Sequence, residues 1–439
     1  MAEAAIEEQG GPPGLNNVEK LSGQSLSAGM IGNVLEWYDF GLYGYLAPMI
    51  GALFFPSANP IASLIGAYGG FAIGFAVRPI GGAVLGHLGD RIGRQTVLVA
   101  SVVLMGGATT LIGFLPTYDQ IGIWAPILLL LIRLFQGFSV GGEFTGSVTY
   151  LVETAPMHRR GFAGSFANIG STAGYLLAAA LAAGTVMLTK AHPEYPWIWR
   201  VPFIAGGLLA VLAYWMRARL THTGFEPDIP EEGEEHELPM KQAFTQAPRA
   251  MILAVIFTWG YGVADYLALV FLPTYASSFG AVDHGAALTI NTFSQAAAII
   301  VIPLAGWLTD HALRRRSMLI LAFALIFFTS VTVFELAAGP GLMRFAVAQV
   351  AFAVFLGMIM GTAPAMLAEL FPSHFRMTGY SIAFNIGLGF GGGTAPLIAT
   401  ALIDLTGHNL AAAGYMMVGA LMSVVALALM KDRSRQPLH

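Results

Sequence analysis

The stretch GNVLEWYDFGLYG, Gly32 to Gly44, decides how the rest of the chain is read, because it sets Glu36 and Asp39 inside an apolar run reaching from about Leu26 to Phe55. A run of that length exceeds the roughly 20 residues a helix needs to cross a bilayer, which puts Asp39 near its midpoint with Glu36 one turn away on the same face. A carboxylate at that depth costs at least ~2.5 kcal/mol, so such acids face a bundle interior or a water-filled cavity and often relay protons. The alternative use is an ion pair that only holds helices together.

The composition agrees. The chain has 439 residues, 56% of them hydrophobic and 10% charged, with a mean hydropathy of +0.68, which is too apolar and too poor in charge for a soluble globular protein. It contains no cysteine, which excludes disulfides and thiolate metal sites. The opening MAEAAIEEQGGPPGLNN lacks the basic segment and short apolar core of a cleaved signal peptide, so the first span is expected to act as its own targeting signal. Apolar runs predict twelve spans, near 27–55, 61–87, 95–115, 122–153, 162–188, 199–219, 250–279, 286–308, 317–338, 343–370, 378–404 and 411–430. Between the sixth and seventh, GFEPDIPEEGEEHELP has acids, Pro and Gly but no apolar period, and reads as a solvated linker. The expected organisation is a tail at 1–25, a six-helix bundle at 26–220, a linker at 221–249, a second six-helix bundle at 250–430 and a tail at 431–439. Sixteen of the 21 Lys and Arg residues fall in the termini, the linker and the even-to-odd connections, against three, Lys190, Arg200 and Arg344, on the other side. The positive-inside rule then puts both termini and the linker in the cytoplasm.

The two halves repeat each other. Gly86-His-Leu-Gly-Asp90 returns as Gly306-Trp-Leu-Thr-Asp310 at an offset of 220. Leu151-Val-Glu153-Thr-Ala-Pro156 with Arg160 returns as Leu367-Ala-Glu369-Leu-Phe-Pro372 with Arg376 at 216, and Asn168-Ile-Gly170 as Asn385-Ile-Gly387 at 217. Three matches in one order at nearly one offset argue for duplicated six-helix halves, the architecture of alternating access.

Gly86-His-Leu-Gly-Asp90-Arg91-Ile-Gly93-Arg94-Gln95 resembles the loop signature G-x-L-x-D-R-x-G-R-[RK] of the major facilitator superfamily, with Gln95 in place of the final basic residue. The resemblance implies a latch between the halves at Gly86, Asp90, Arg91, Gly93 and Arg94, with Glu153, Arg160, Asp310, Glu369 and Arg376 as further gating residues; the second copy, with His311 and a displaced run Arg314 to Arg316, is the weaker match. Arg133-Leu-Phe-Gln136-Gly137 resembles the superfamily's span-4 motif, and GNVLEWYDFGLYG, VRPIGG, YDQIGIWAPILLLLIRLFQGFSVGGEFTG, WRVPF and ELFPSHFR together resemble the metabolite:proton symporter family, whose members carry α-ketoglutarate, citrate, shikimate, or proline and betaine. The expectation is an all-α membrane protein with twelve transmembrane helices in two pseudo-symmetric halves, in a plasma (bacterial inner) membrane, with no cofactor, no nucleic-acid partner and a monomeric state.

Rival motifs fail. Gly387-Leu-Gly-Phe-Gly-Gly392 satisfies G-x-G-x-x-G but sits inside span 11, where it serves close packing or bending better than a dinucleotide. No G-x-x-x-x-G-K-[ST] occurs, so no nucleotide engine is encoded, and no histidine falls mid-span to support a zinc site. Asp265 does sit mid-span, among Trp259, Tyr261 and Tyr266; it either lines a cavity or satisfies a polar group between helices.

By resemblance the cavity gathers Asp39 and Glu36 for proton coupling, with Arg133, Asp265, Trp37, Tyr43, Gln136, Trp259 and Tyr266 at the substrate. The expected activity is proton-driven import of a small carboxylate-bearing solute; a sensor built on the same fold and a proton-antiport exporter stay open. Arg133 is read as the single cation near the centre, Arg78 lying nearer the basic end of span 2, and one cation implies one carboxylate contact. With acids and aromatics around it, that places a zwitterion such as proline or betaine ahead of a dicarboxylate.

Overall fold

The computed structural model describes residues 23–92, 94–140, 142–220 and 239–438, with the side chains of 23–29, 31, 83, 86–87, 89–99 and 216–220 outside the description. Twelve helical segments follow the apolar runs. They are α1 (Gly23–Tyr45, continued by Ala47–Phe54), α2 (Pro60–Ala76, then Arg78–Ile92), α3 (Arg94–Phe114), α4 (Trp124–Ser139, then Glu143–Glu153), α5 (Arg160–Ala191) and α6 (Val201–Leu220). The second half has α7 (Pro248–Asp265, Tyr266–Phe271, Leu272–Ser278), α8 (His284–His311), α9 (Arg315–Ala338), α10 (Leu342–Ala368), α11 (Arg376–Gly393, then Ala395–Thr406) and α12 (Ala411–Leu429). Among the described residues ten are long and apolar enough to cross a membrane, and α3 adds the shorter apolar Ala100–Phe114. Leu208, Phe293, Phe328 and Leu405 point outward, as a lipid-facing surface requires.

The spans are broken in several places, two of them at prolines. Pro48 and Pro79 have no N–H to return to the carbonyls of Gly44 and Phe75, and α1 and α2 interrupt at Leu46 and Val77. In α4 the backbone turns extended at Val140 and resumes helical form at Glu143. Tyr266–Phe271 forms a π-helical turn in α7. The segment read as a solvated linker contains a short helix, Pro239–Gln246, and its residues 221–238 lie outside the description.

Across the halves α5 packs on α8 and α10, and α2 on α11, a crossed arrangement that leaves α1, α4 and α7 around the centre. Close approach there depends on missing side chains. A Cβ on Gly137 of α4 meets the Gly74 carbonyl of α2 at 1.8 Å, and one on Gly392 of α11 meets the Tyr266 ring of α7 at 2.4 Å. The glycine-rich stretch of α11 thus packs that helix onto α7.

Candidate functional site

Glu36 and Asp39 share a face of α1 but reach different helices. Asp39 is 1% exposed. Its Oδ1 accepts from Thr109 Oγ1 of α3 at 2.6 Å and from Gln136 Nε2 of α4 at 2.9 Å, while Oδ2 lies 3.6 Å from Arg133 Nη1 and accepts no hydrogen bond. Arg133 Nη1 donates to Gln136 Oε1 at 2.8 Å. Thr109 is a member of this cycle that sequence reading missed, because a threonine in an apolar span carries no signal of its own.

Arg133 is fully buried on α4 because Gly74 opposite leaves it room; a Cβ there meets Nη2 at 3.1 Å. Its guanidinium lies 4.3 Å from the Tyr43 ring centroid, and Tyr43 donates its hydroxyl to the Ala67 carbonyl. Nε and Nη2 have no hydrogen-bond partner. Those two donors form one edge of the planar fork, the geometry that grips a carboxylate with two hydrogen bonds. The reading of Arg133 as the single central cation is corrected. Arg78 is equally buried, pairs with Glu36 at 3.1 Å, and its guanidinium sits 4.1 Å from the Phe40 ring whose centroid is 5.1 Å from that of Arg133. Chain position placed Arg78 too near the end of α2; a long side chain beside the Val77 break brings its head to the centre.

Trp37, Tyr175 and Tyr266 form a triangle of rings from α1, α5 and α7, with centroids 5.4 to 6.4 Å apart, and Tyr45 joins at 6.4 Å from Tyr175. Asp265 ends the α-helical part of α7 just before the π turn, whose carbonyls Ala268 and Leu269 accept from Gln349 and Asn291. The Trp259 backbone occupies the site that a Cβ on Gly391 of α11 would need. Tyr45 and Tyr175 were not distinguished in the sequence, where an aromatic in an apolar run does not reveal its face.

Both ends of the bundle are latched. At the basic end Asp310 of α8 accepts from the backbone N–H of Gly161 and Phe162 at 2.8 Å each, capping the N-terminus of α5 in the other half, and pairs with Arg315 at 2.9 Å. Arg315 also holds Glu369 at 2.7 Å, with Arg160 at 3.9 Å. Arg376 pairs with Glu153. The repeated Glu…Arg motif therefore closes crosswise, each half's arginine on the other half's glutamate. Burial pushes Glu369 up to about 7 against the pull of Arg315 and Arg160. The side chains of Asp90, Arg91 and Arg94, with Gly86 and Gly93, lie outside the described residues, so the first copy of the loop signature has no place in this network's description. At the opposite end Lys190 pairs with Asp283 at 2.6 Å and holds its carboxyl below the usual range, and the His284 ring bonds the Tyr45 carbonyl at 2.9 Å. The cleft beside Glu36 and Arg78 measures about 10 Å³, room for a water at most, while a cavity of about 340 Å³ opens at the opposite end beside Pro48, Pro56 and Phe279.

Comparison with known proteins gives this arrangement its context. Residues 26–220 match the family described as sugar (and other) transporter, and residues 255–439 the major facilitator superfamily. The proline/betaine transporter of Escherichia coli K12 is 32% identical over 94% of this chain and 84% of its own length. A putative proline/betaine transporter of Staphylococcus aureus COL is 35% identical over 90% and 85%. A solved proton:xylose symporter superposes with a TM-score of 0.71 at 16% identity, covering 93% of this chain and 96% of that one, and so shares the twelve-helix fold. These relatives are membrane transporters and not enzymes. The chain belongs to the major facilitator superfamily and, within it, to the metabolite:proton symporter family.

Proposed function

We propose that this chain imports a small zwitterion bearing one carboxylate, of the proline or betaine kind, together with a proton. The observation that carries the reading is the incomplete Asp39–Arg133 pair, with Oδ2 of one and the Nε/Nη2 edge of the other left without hydrogen bonds. A buried arginine needs a counter-charge. When Asp39 is charged it serves; when Asp39 takes a proton, the solute carboxylate replaces it on the free edge of Arg133. Proton and solute then enter together, because solute with charged Asp39 crowds two anions on one cation, and a protonated Asp39 without solute leaves Arg133 uncompensated. Gln136 and Thr109 hold Asp39 through either state. Glu36 keeps Arg78 neutralised, so the second cation adds no second carboxylate site. The names of the relatives and the proton-coupled structural neighbour support the same reading.

With the basic end taken as cytoplasmic, solute enters from the opposite end and leaves where Asp310 and Glu369 now close the bundle. A single cysteine at Gly233 is then shielded from impermeant thiol reagents in intact cells, and ready labelling contradicts this orientation. Substrate binding itself tests the coupling. Titrating purified protein with glycine betaine at a pH where Asp39 is charged, in two buffers of different ionisation enthalpy, is expected to show about one proton taken up per solute bound. Identical heats in both buffers mean that no proton accompanies the solute.

A further inference from the structure

Among the described residues with buried carboxyl groups, Glu36 has Arg78, Asp39 has Arg133, Asp310 has Arg315, and Glu369 has Arg160 and Arg315. The Asp265 carboxyl has no ion pair or hydrogen bond among the described residues, and its Oδ1 is buried without a partner. A buried charge is tolerated when paired and otherwise takes a proton, so a charged Asp265 requires a cation that the described residues do not supply. The walls around it are aromatic. Tyr266 follows Asp265 in α7 and stands with Trp37 of α1 and Tyr175 of α5 in the ring triangle, Tyr45 lies beyond Tyr175, and Tyr45, Tyr175, Tyr261 and Tyr266 all lie within electrostatic reach of Asp265.

We infer that Asp265 with Trp37, Tyr175 and Tyr266 is the subsite for the solute's positive end, and that it selects an onium group, a large and weakly hydrated cation. This deepens the proposed function and rests on it, by assigning the two ends of the zwitterion to two places: the carboxylate to Arg133 of α4, the cation to α1, α5 and α7. Ring faces attract such a cation through their quadrupoles, and the carboxylate supplies the net charge. A metal ion fits poorly. Hard cations take six or more oxygens, and no group of three metal-ligating side chains occurs among the described residues. Tyr266 links the two places, since it follows Asp265 in α7 and its ring packs on Phe71 and Phe75, whose centroids lie 5.9 Å from the Arg133 guanidinium and 4.3 Å from that of Arg78. The π turn that begins at Tyr266 is held by Gln349 of α10 and Asn291 of α8. Such turns sit in helices where function needs an irregular backbone. Here the turn begins at Tyr266, whose ring meets Trp37 and Tyr175 of the other half, so a cation there bridges α7 to α1 and α5.

The test compares glycine betaine with 3,3-dimethylbutanoate, which has the same shape and carboxylate but a neutral quaternary carbon. Affinities are measured by titration on purified protein whose melting is checked to be cooperative. Wild type is expected to prefer betaine at least tenfold. In Asp265→Asn that preference falls to about threefold or less, through loss of betaine binding while the neutral analogue binds as before. Tyr175→Leu, which removes a wall and no charge, lowers the preference as well. If both variants keep the wild-type preference, the cation subsite is wrong, although betaine import stands. If wild type binds neither compound but binds a dicarboxylate, the zwitterion reading fails and the subsite fails with it.

Discussion

Asp39→Asn is expected to abolish accumulation of solute against its gradient, a loss of at least a hundredfold in the accumulated ratio, while exchange of labelled for unlabelled solute continues. The asparagine keeps both hydrogen bonds, since its amide oxygen still accepts from Thr109 and Gln136, so the local packing survives. What it removes is the negative charge that competes with the solute for Arg133. Arg133 is then free for the carboxylate at all times, and the solute binds at any pH. An unpaired buried arginine costs ~3–5 kcal/mol, so solute-free protein should resist the return step and melt lower than wild type until solute is added. Bound solute restores the counter-charge and the melting point. Accumulation at the wild-type level contradicts this role for Asp39.

The second large effect is expected at Asp310. Its carboxylate accepts two backbone N–H groups from the first half, and it is tied to Arg315 as well. Asp310→Ala removes all three contacts and leaves the α5 N-terminus and Arg315 short of negative charge. Loss of a buried pair of this kind is worth ~3–5 kcal/mol, and the loss falls only on the state closed at the basic end. Such a bias moves a balanced two-state equilibrium beyond 99:1. Uptake should drop more than tenfold with solute affinity changed about threefold or less. Ser165 is fully buried behind this gate, and in this cysteine-free chain Ser165→Cys should react with small thiol reagents far faster once Asp310→Ala is added. Unchanged uptake and reactivity remove Asp310 from the gate.

The fold was readable because the bilayer constrains it so strongly: every spanning run must be long, apolar and helical. The internal repeat went further than expected. It identified Glu153, Arg160, Glu369 and Arg376 as equivalent pairs, and the structure joins them crosswise between the halves. Asp310 shows the limit of such reading. Its loop copy departs from the signature, yet its carboxylate caps α5 of the other half and pairs with Arg315 of the displaced basic run. Arg78 shows another limit, since sequence depth fixes where a Cα lies and not where a long side chain ends. The same holds for Tyr45 and Tyr175, whose rings meet Trp37 and Tyr266 only through tertiary packing, and for the π turn, which no local composition announces.

Movement of solute and proton together in one direction can be measured with purified protein in liposomes. With an acid exterior, a pH-sensitive dye in the lumen and labelled glycine betaine outside, solute should accumulate above its external concentration while the lumen acidifies in step with its entry. Collapsing the pH gradient with a protonophore should release the accumulated solute. Accumulation with an alkalinising lumen, or equilibration without accumulation, contradicts that movement.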